Sequence, residues 1–308
     1  CAPDMSNQPP QNQPAIPWRR TLSWALYDLG NTIYSVIVVS LAIAVHVKEF
    51  TGVEKWTFLV TATSMGLSGL VVPFAGELAD RTGRAKRYLL VLTLVCCASC
   101  AAISLAPWAG AILLLYFIAN FAYNACFTFY DSLLPMVAPP QRVGLVSGLG
   151  VGLGYGAGAL AVPLAMLAVW LYRRTDPAHA LTPVFAVAAV LFLAASVPLF
   201  LWVPERAARP PVPGPREAAR TAWRRVAATV KLLPRHRSVM LFLIGNFLCV
   251  DALNATIIGY APYVHHVFGL SPEAYMFVII PFSLCALALG IAGGRLTDRF
   301  GSRPVMLS

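Results

Sequence analysis

Between Tyr88 and Gln141 the chain runs for 54 residues with a single formal charge, Asp131. Val143–Tyr172 and Leu181–Pro204 carry none, and Ser238–Gly294 carries only Asp251 and Glu273. A water-soluble domain holds roughly a quarter charged residues, because its surface must stay hydrated. A helix that crosses a bilayer needs about 20 mostly apolar residues. Each of the two longest runs therefore holds two spans and a tight turn. Across all 308 residues, 58% are hydrophobic and 12% charged, with a mean hydropathy of +0.69. These values exclude both a soluble enzyme and a disordered chain. The expected fold class is all-α, a polytopic helical membrane protein.

The charge pattern divides the chain. Residues 1–21, Pro/Gln-rich and polar up to the first span, are expected to form a disordered tail. Spans are expected at about Leu22–Val47, Trp56–Ala79, Tyr88–Ala106, Ala111–Val137, Leu145–Leu171 and Pro183–Val203, so that 22–203 form an N-terminal six-helix bundle. A basic stretch, 204–237, follows as a linker. Residues 238–308 then begin a second bundle, with spans at about Val239–Val264 and Tyr275–Leu296. Eight spans are expected in all. With the N-terminus in the cytoplasm, 19 of the 23 Lys and Arg residues fall on the inside and four outside, which sets the orientation. This placement also accounts for the net charge of +10 without any nucleic-acid partner. In the linker, Trp223, Val226, Ala227, Val230 and Leu233 recur at helical spacing, and Arg216, Arg220 and Arg224 line another face. The pattern predicts an amphipathic helix on anionic lipid head groups, with docking of a soluble partner as the alternative.

Two motifs occur twice. Gly76-Glu-Leu-Ala-Asp80-Arg81-Thr-Gly83-Arg84 follows the second span, and Gly294-Arg-Leu-Thr-Asp298-Arg299-Phe-Gly301-Ser-Arg303 follows the eighth. Asp28-Leu-Gly-Asn31 in the first span is matched by Asp251-Ala-Leu-Asn254 in the seventh. The offsets are 223 residues for Asp28 to Asp251 and 218 for Asp80 to Asp298. This agreement predicts a tandem repeat of six spans, both halves in one orientation. The loop motif suits a latch. A carboxylate at a helix end can accept hydrogen bonds from the donors at a neighbouring helix start, the arginines can pair with acids on adjacent helices, and the glycines permit a sharp reversal.

These residues resemble the major facilitator superfamily, whose cytoplasmic loop pattern is G-x-x-x-D-R-x-G-R-[KR]-[KR]. Ala85 departs from it at the first basic position, and Ser302 stands where the second Arg is expected. Ser23-Trp24-Ala25-Leu26-Tyr27-Asp28 with Asn31, and Arg142-Val-Gly-Leu-Val-Ser147-Gly148-Leu-Gly150, resemble the autophagy-related vacuolar amino-acid effluxer-like branch, which has bacterial members of unknown substrate. The resemblance implies twelve spans, so the eight expected here would be a C-terminally truncated version. It also implies secondary active transport of small polar metabolites, neutral amino acids among them, by alternating access, in a bacterial inner membrane.

An ionisable residue at membrane depth costs roughly 2.5–3.5 kcal/mol or more and marks function by default. The candidates are Asp28, Asp131 and Asp251, with Asn31, Asn254, Asn120 and Asn124 beside them. They would bind a substrate or carry a proton; the alternative is a polar clasp between helices. Gly148, Gly152 and Gly156 form a G-x-x-x-G face for close helix packing. Six of the seven cysteines lie in apolar runs and read as small hydrophobes. The sequence holds no phosphate-binding glycine loop and no metal-ligand spacing, so neither a cofactor nor enzymatic activity is expected. A receptor or scaffold signalling through the linker is the alternative to a transporter.

Overall fold

The computed structural model describes residues 16–174, 181–205, 215–269 and 272–307, apart from some side chains within them, including those of Asp80, Arg81, Asn254 and Arg303. The chain is all-α; among the described residues there is no strand. The helices are α1 Trp18–Tyr34, α2 Ile43–Thr51, α3 Lys55–Thr82, α4 Ala85–Ile103, α5 Ala109–Ser132, α6 Leu134–Val137, α7 Val143–Arg173, α8 Thr182–Trp202, α9 Pro215–Leu232, α10 Arg237–Phe268, α11 Pro272–Phe300 and α12 Ser302–Leu307. Among the described residues, seven stretches are long and apolar enough to cross a membrane: Trp18–Thr51, Lys55–Glu77, Ala85–Ile103, Ala109–Ser132, Pro140–Arg173, Thr182–Trp202 and Ile280–Phe300. The remaining expected span falls within α10, a continuous helix of 32 residues.

Two local features depart from the sequence reading. The first span is not uniformly α. Ser35–Ala42, between α1 and α2, is a π-helix in which Ser40 Oγ donates to the Ser35 carbonyl, five residues back, at 3.1 Å. Its Val36-Ile37-Val38-Val39 run is β-branched and stiff in χ1, so it holds an α-helix less firmly than its neighbours do. The expected fourth span is also shorter. Its helix stops at Ser132, and Leu134–Val137 is a separate turn of helix. Pro135 explains the break: it has no N–H to give back to the preceding turn, and its ring crowds that turn.

In the N-terminal half, α1 packs between α7 and α8, α4 between α5 and α8, and α3 against α5. Fully buried aromatic and aliphatic side chains fill the seams, among them Tyr27, Tyr34, Leu89, Ile112, Tyr116, Phe129, Phe185 and Phe192. Polar side chains tie the helices where lipid would leave them unsatisfied. Tyr27 Oη shares a hydrogen bond with Thr93 Oγ1 at 2.8 Å, Tyr116 Oη with Thr61 Oγ1 at 2.8 Å, and Thr21 Oγ1 donates to the Val137 carbonyl at 2.8 Å. Lys86 Nζ donates to the Val203 carbonyl at 2.7 Å, closing the end of α8.

The two copies of the loop motif adopt the same local ending. α3 stops at Gly83 with φ 65°, and α11 stops at Gly301 with φ 85°. Both lie in the left-handed region that only glycine enters without strain. In the linker, Trp223 of α9 stacks on Phe74 of α3, with ring centroids 5.2 Å apart and planes 14° apart, yet stays 64% exposed. Arg220 and Arg224 on the same helix are exposed.

Candidate functional site

The second half meets the first through α11 and α7, and glycines make that meeting close. A Cβ on Gly148 would collide with the Gly290 carbonyl and come within 3.0 Å of Gly294 Cα. A Cβ on Gly152 would lie 2.9 Å from the Leu287 carbonyl, and one on Gly294 would collide with the Gly144 carbonyl. Gly156 faces the Leu287 side chain, with a Cβ position 3.4 Å away. The backbones of α7 and α11 are therefore in direct contact over three turns.

At the end of this seam where α7 begins, Asp298 of the second loop motif accepts two hydrogen bonds. Gly144 N–H donates to Oδ1 and Leu145 N–H to Oδ2, each at 2.7 Å. Both donors belong to the first turn of α7, where N–H groups have no partner within the helix. A carboxylate there also faces the positive end of the helix dipole. In the other copy, Gly76 comes nearest Thr128 of its own half, with 3.3 Å to a Cβ position, and the Asp80 and Arg81 side chains lie outside the described residues. Arg84 is exposed, and Arg299 sits over the ring of Phe300 at 5.3 Å.

The opposite face of α7 packs on α1. A Cβ on Gly150 would lie 2.7 Å from the Trp24 ring and 3.2 Å from Tyr130 Oη. One on Gly154 would lie 2.8 Å from Thr32 Oγ1 and 3.0 Å from Asp28 Oδ2. Tyr130 is held between Trp24 (centroids 4.3 Å apart, 8° between planes) and Tyr27 (5.2 Å), and Trp24 Nε1 donates to the Tyr130 carbonyl at 3.2 Å. Asp131 is the next residue, exposed at the end of α5 and within electrostatic range of Asp28. The structure thus gathers Asp28, Tyr130 and Asp131, with Asn31 one turn further along α1. Asn31 is 1% exposed, and its Oδ1 has no hydrogen-bond partner among the described residues.

The other candidates lie elsewhere. Asn120 is 2% exposed, and its Nδ2 donates to Ser64 Oγ of α3 at 2.7 Å. Asn124 Nδ2 donates to the Asn120 carbonyl at 2.7 Å. These amides bond along and across helices. Asp251 is exposed on α10, which touches the π-helical segment, and the Asn254 side chain is outside those described. Among the described residues no group of three or more His, Cys, Asp or Glu could hold a metal ion. Two partners went unforeseen, Gly144 and Gly290. For Gly290 the signal was present, since Gly290 and Gly294 are spaced four apart and repeat the G-x-x-x-G of α7.

Replacing Asn120 by Ala is expected to cost about 0.6 kcal/mol, up to ~1.7, the range for one hydrogen bond between membrane helices. A thermal-unfolding comparison checks this. Ser64→Ala should cost the same, and the double variant little more.

A family model described as Major Facilitator Superfamily matches residues 21–308. The chain belongs to the major facilitator superfamily. Membership places it among multi-pass membrane transporters rather than enzymes. It is 24% identical over 298 residues to the uncharacterized MFS-type transporter YxiO of Bacillus subtilis (strain 168), covering 92% of this chain and 69% of that protein. It is 27% identical over 285 residues to an uncharacterized protein of Aquifex aeolicus (strain VF5), covering 91% and 66%. The chain thus spans about two thirds of the length of these two relatives. Among solved structures, the crystal structure of a bacterial homolog of the human lysosomal transporter Spinster, inward-facing and unoccupied, aligns over 93% of this chain and 62% of its own. Its TM-score is 0.47 at 18% identity.

Proposed function

We propose that this protein is a secondary active transporter of small polar metabolites, working by alternating access between two six-span bundles. The observation that carries this reading is the cap that Asp298 places on α7. It joins the two halves through two charge-assisted hydrogen bonds beside a glycine seam that has no side chains to interlock. Such a contact can be broken and remade as a unit, as a two-state element requires. The end of α11 that carries Asp298 is cytoplasmic in the orientation supported by the 19-to-4 split of basic residues. In this reading the cap holds the cytoplasmic side shut, with Asp80 and Arg81 as the corresponding pair of the first half. The membrane is the bacterial inner membrane. Neutral amino acids are the substrate class favoured by the resemblance around Asp28 and Gly148.

The exposed Arg220, Arg224 and Trp223 on α9 support contact between the linker and anionic head groups. Proton coupling, if the cycle uses it, falls to the carboxylates already gathered near α7.

The test is counterflow of labelled neutral amino acids by the purified protein in liposomes. Time-dependent accumulation that depends on internal unlabelled substrate is the expected result. Ligand binding without flux would instead favour a receptor that uses the transporter fold and signals through the linker.

A further inference from the structure

The fixed charge inside the N-terminal bundle is one-sided. Away from the helix ends, within residues 22–47, 56–76, 88–141, 143–172 and 181–203, the only formal charges are Asp28 and Asp131; Arg142 stands at the start of α7, and His46 lies near the outer end of its span. Among the described residues neither carboxylate has a hydrogen bond or an ion pair. Asp28 is half-buried, and an ionised group there without a counter-charge is costly; the exposed Asp131 within electrostatic range adds to that cost.

A second, independent feature lies at the same place. Tyr130 is 4% exposed, and its hydroxyl has no partner among the described residues. That hydroxyl points at Gly150 of α7, and Asp28 Oδ2 points at Gly154, one turn along the same stripe. The two glycines are one turn apart, roughly 6 Å along the helix axis, so the two oxygens face neighbouring positions of α7. Stacking on Trp24 and Tyr27 fixes the Tyr130 ring, so its hydroxyl is held before any ligand arrives. Asn31 adds a buried carbonyl oxygen that accepts from nothing described. The inventory is rich in acceptors, negative and partly pre-oriented.

We infer that the α1–α7 face, through Asp28 and Tyr130 with Asp131 contributing charge, binds the protonated amine of the transported substrate. An ammonium brings three N–H donors and one positive charge, which match what the face lacks. Acceptor oxygens from two helices that face neighbouring positions of one stripe suit its several donors. A bare metal ion would need six or more oxygens drawn in to 2.3–2.6 Å, as calcium does. A carboxylate or phosphate would meet the negative charge of Asp28 and Asp131. Gly150 and Gly154 take part by leaving room, since a Cβ at Gly154 would crowd the Asp28 carboxylate.

This inference rests on the transporter reading but is tested by binding rather than by flux. Three ligands share one isobutyl body: isoamylamine, a cation; leucine, a zwitterion; and 4-methylpentanoate, an anion. Each is titrated into the purified protein by calorimetry, alongside the folded Asp28→Asn variant, with helicity and unfolding temperature as controls on folding. The amine and leucine are expected to bind at least tenfold tighter than the anion. Asp28→Asn should weaken both at least tenfold, Tyr130→Phe severalfold, and Asp131→Asn by less. Equal binding of anion and amine, binding of none of the three, or an amine affinity unchanged in Asp28→Asn would overturn the inference. If the amine binds as described but no ligand shows counterflow, the transporter reading fails and the amine site stands.

Discussion

Replacing Gly148 by Leu is expected to cut counterflow at least tenfold while leaving the N-terminal bundle folded. The atoms that a Cβ would meet there are the Gly290 carbonyl and, at 3.0 and 3.2 Å, the Cα and N of Gly294. All are backbone, so no rotamer change can clear the clash. Leu adds three carbons beyond that Cβ, and α7 and α11 must separate to admit them. Overpacking of a tight interface costs about 1–3 kcal/mol, and separation also pulls Asp298 away from the start of α7. A penalty of 1.4 kcal/mol already shifts a two-state equilibrium tenfold, so flux should fall by more than that. Gly148→Ala should give a smaller loss in the same direction. Gly66→Ala is the control, because a Cβ there meets nothing within 4 Å. Normal flux through Gly148→Leu, in a protein shown to be inserted and folded, would refute the proposal that this seam closes and opens in the cycle.

The second large effect is expected at Asp298. Asp298→Ala removes both acceptors from the first turn of α7 and leaves the Gly144 and Leu145 N–H groups to water. Hydrogen bonds to charged groups contribute about 1.5–3 kcal/mol each, and an N-terminal carboxylate adds roughly 0.3–1 kcal/mol through the dipole. The site is exposed, so water recovers part of this. A net loss of about 1–2 kcal/mol is expected, enough to change conformer populations roughly five- to thirty-fold. Asp298→Asn should fall between, since an amide keeps one acceptor oxygen and presents donors at the other position. Spin labels at the exposed Gln141 and Ser302, with the exposed Cys249 and Cys285 replaced, would read the change as a shift to longer distances in pulsed dipolar spectroscopy. An unaltered distance distribution in Asp298→Ala would mean that the cap does not set the closed state.

How much of this was legible in advance depends on the kind of feature. The spans were legible, because the bilayer filters residues one at a time and leaves its record in where charges are allowed. The ends of α3 and α11 were legible as well. Gly83 and Gly301 sit at matched places in a repeated motif, and a left-handed residue is a local requirement. The break at Ser132 could have been read from Pro135 and was not, since an apolar run of full length masked it. The π-helical Ser35–Ala42 had no clear signal beyond its β-branched run.

The candidate residues divide the same way. Asp28 and Asp131 stood out by charge alone, but their approach to one another needed α1, α5 and α7 to be assembled. Asn120 and Asn124 read from the sequence either as groups that bind substrate or as a polar clasp between helices; the bond from Asn120 to Ser64, 56 residues away in sequence, ties α5 to α3. Asp251, singled out as deep within its span, lies on α10, whose described side chains are exposed almost throughout.

From sequence alone came most of the spans, the recurrence of two motifs along the chain, and the placing of Gly148, Gly152 and Gly156 on one stripe. Only the tertiary structure decided that 148/152/156 faces α11 of the second half, whereas 150/154 faces Trp24, Asp28 and Tyr130 of the first. The reason is physical. In water an apolar stripe points to the core, but in lipid every face of a helix is apolar, so hydrophobicity marks no partner. Pairing is then settled by close fit and by a few buried polar groups, and both depend on residues that become neighbours only after the helices have assembled.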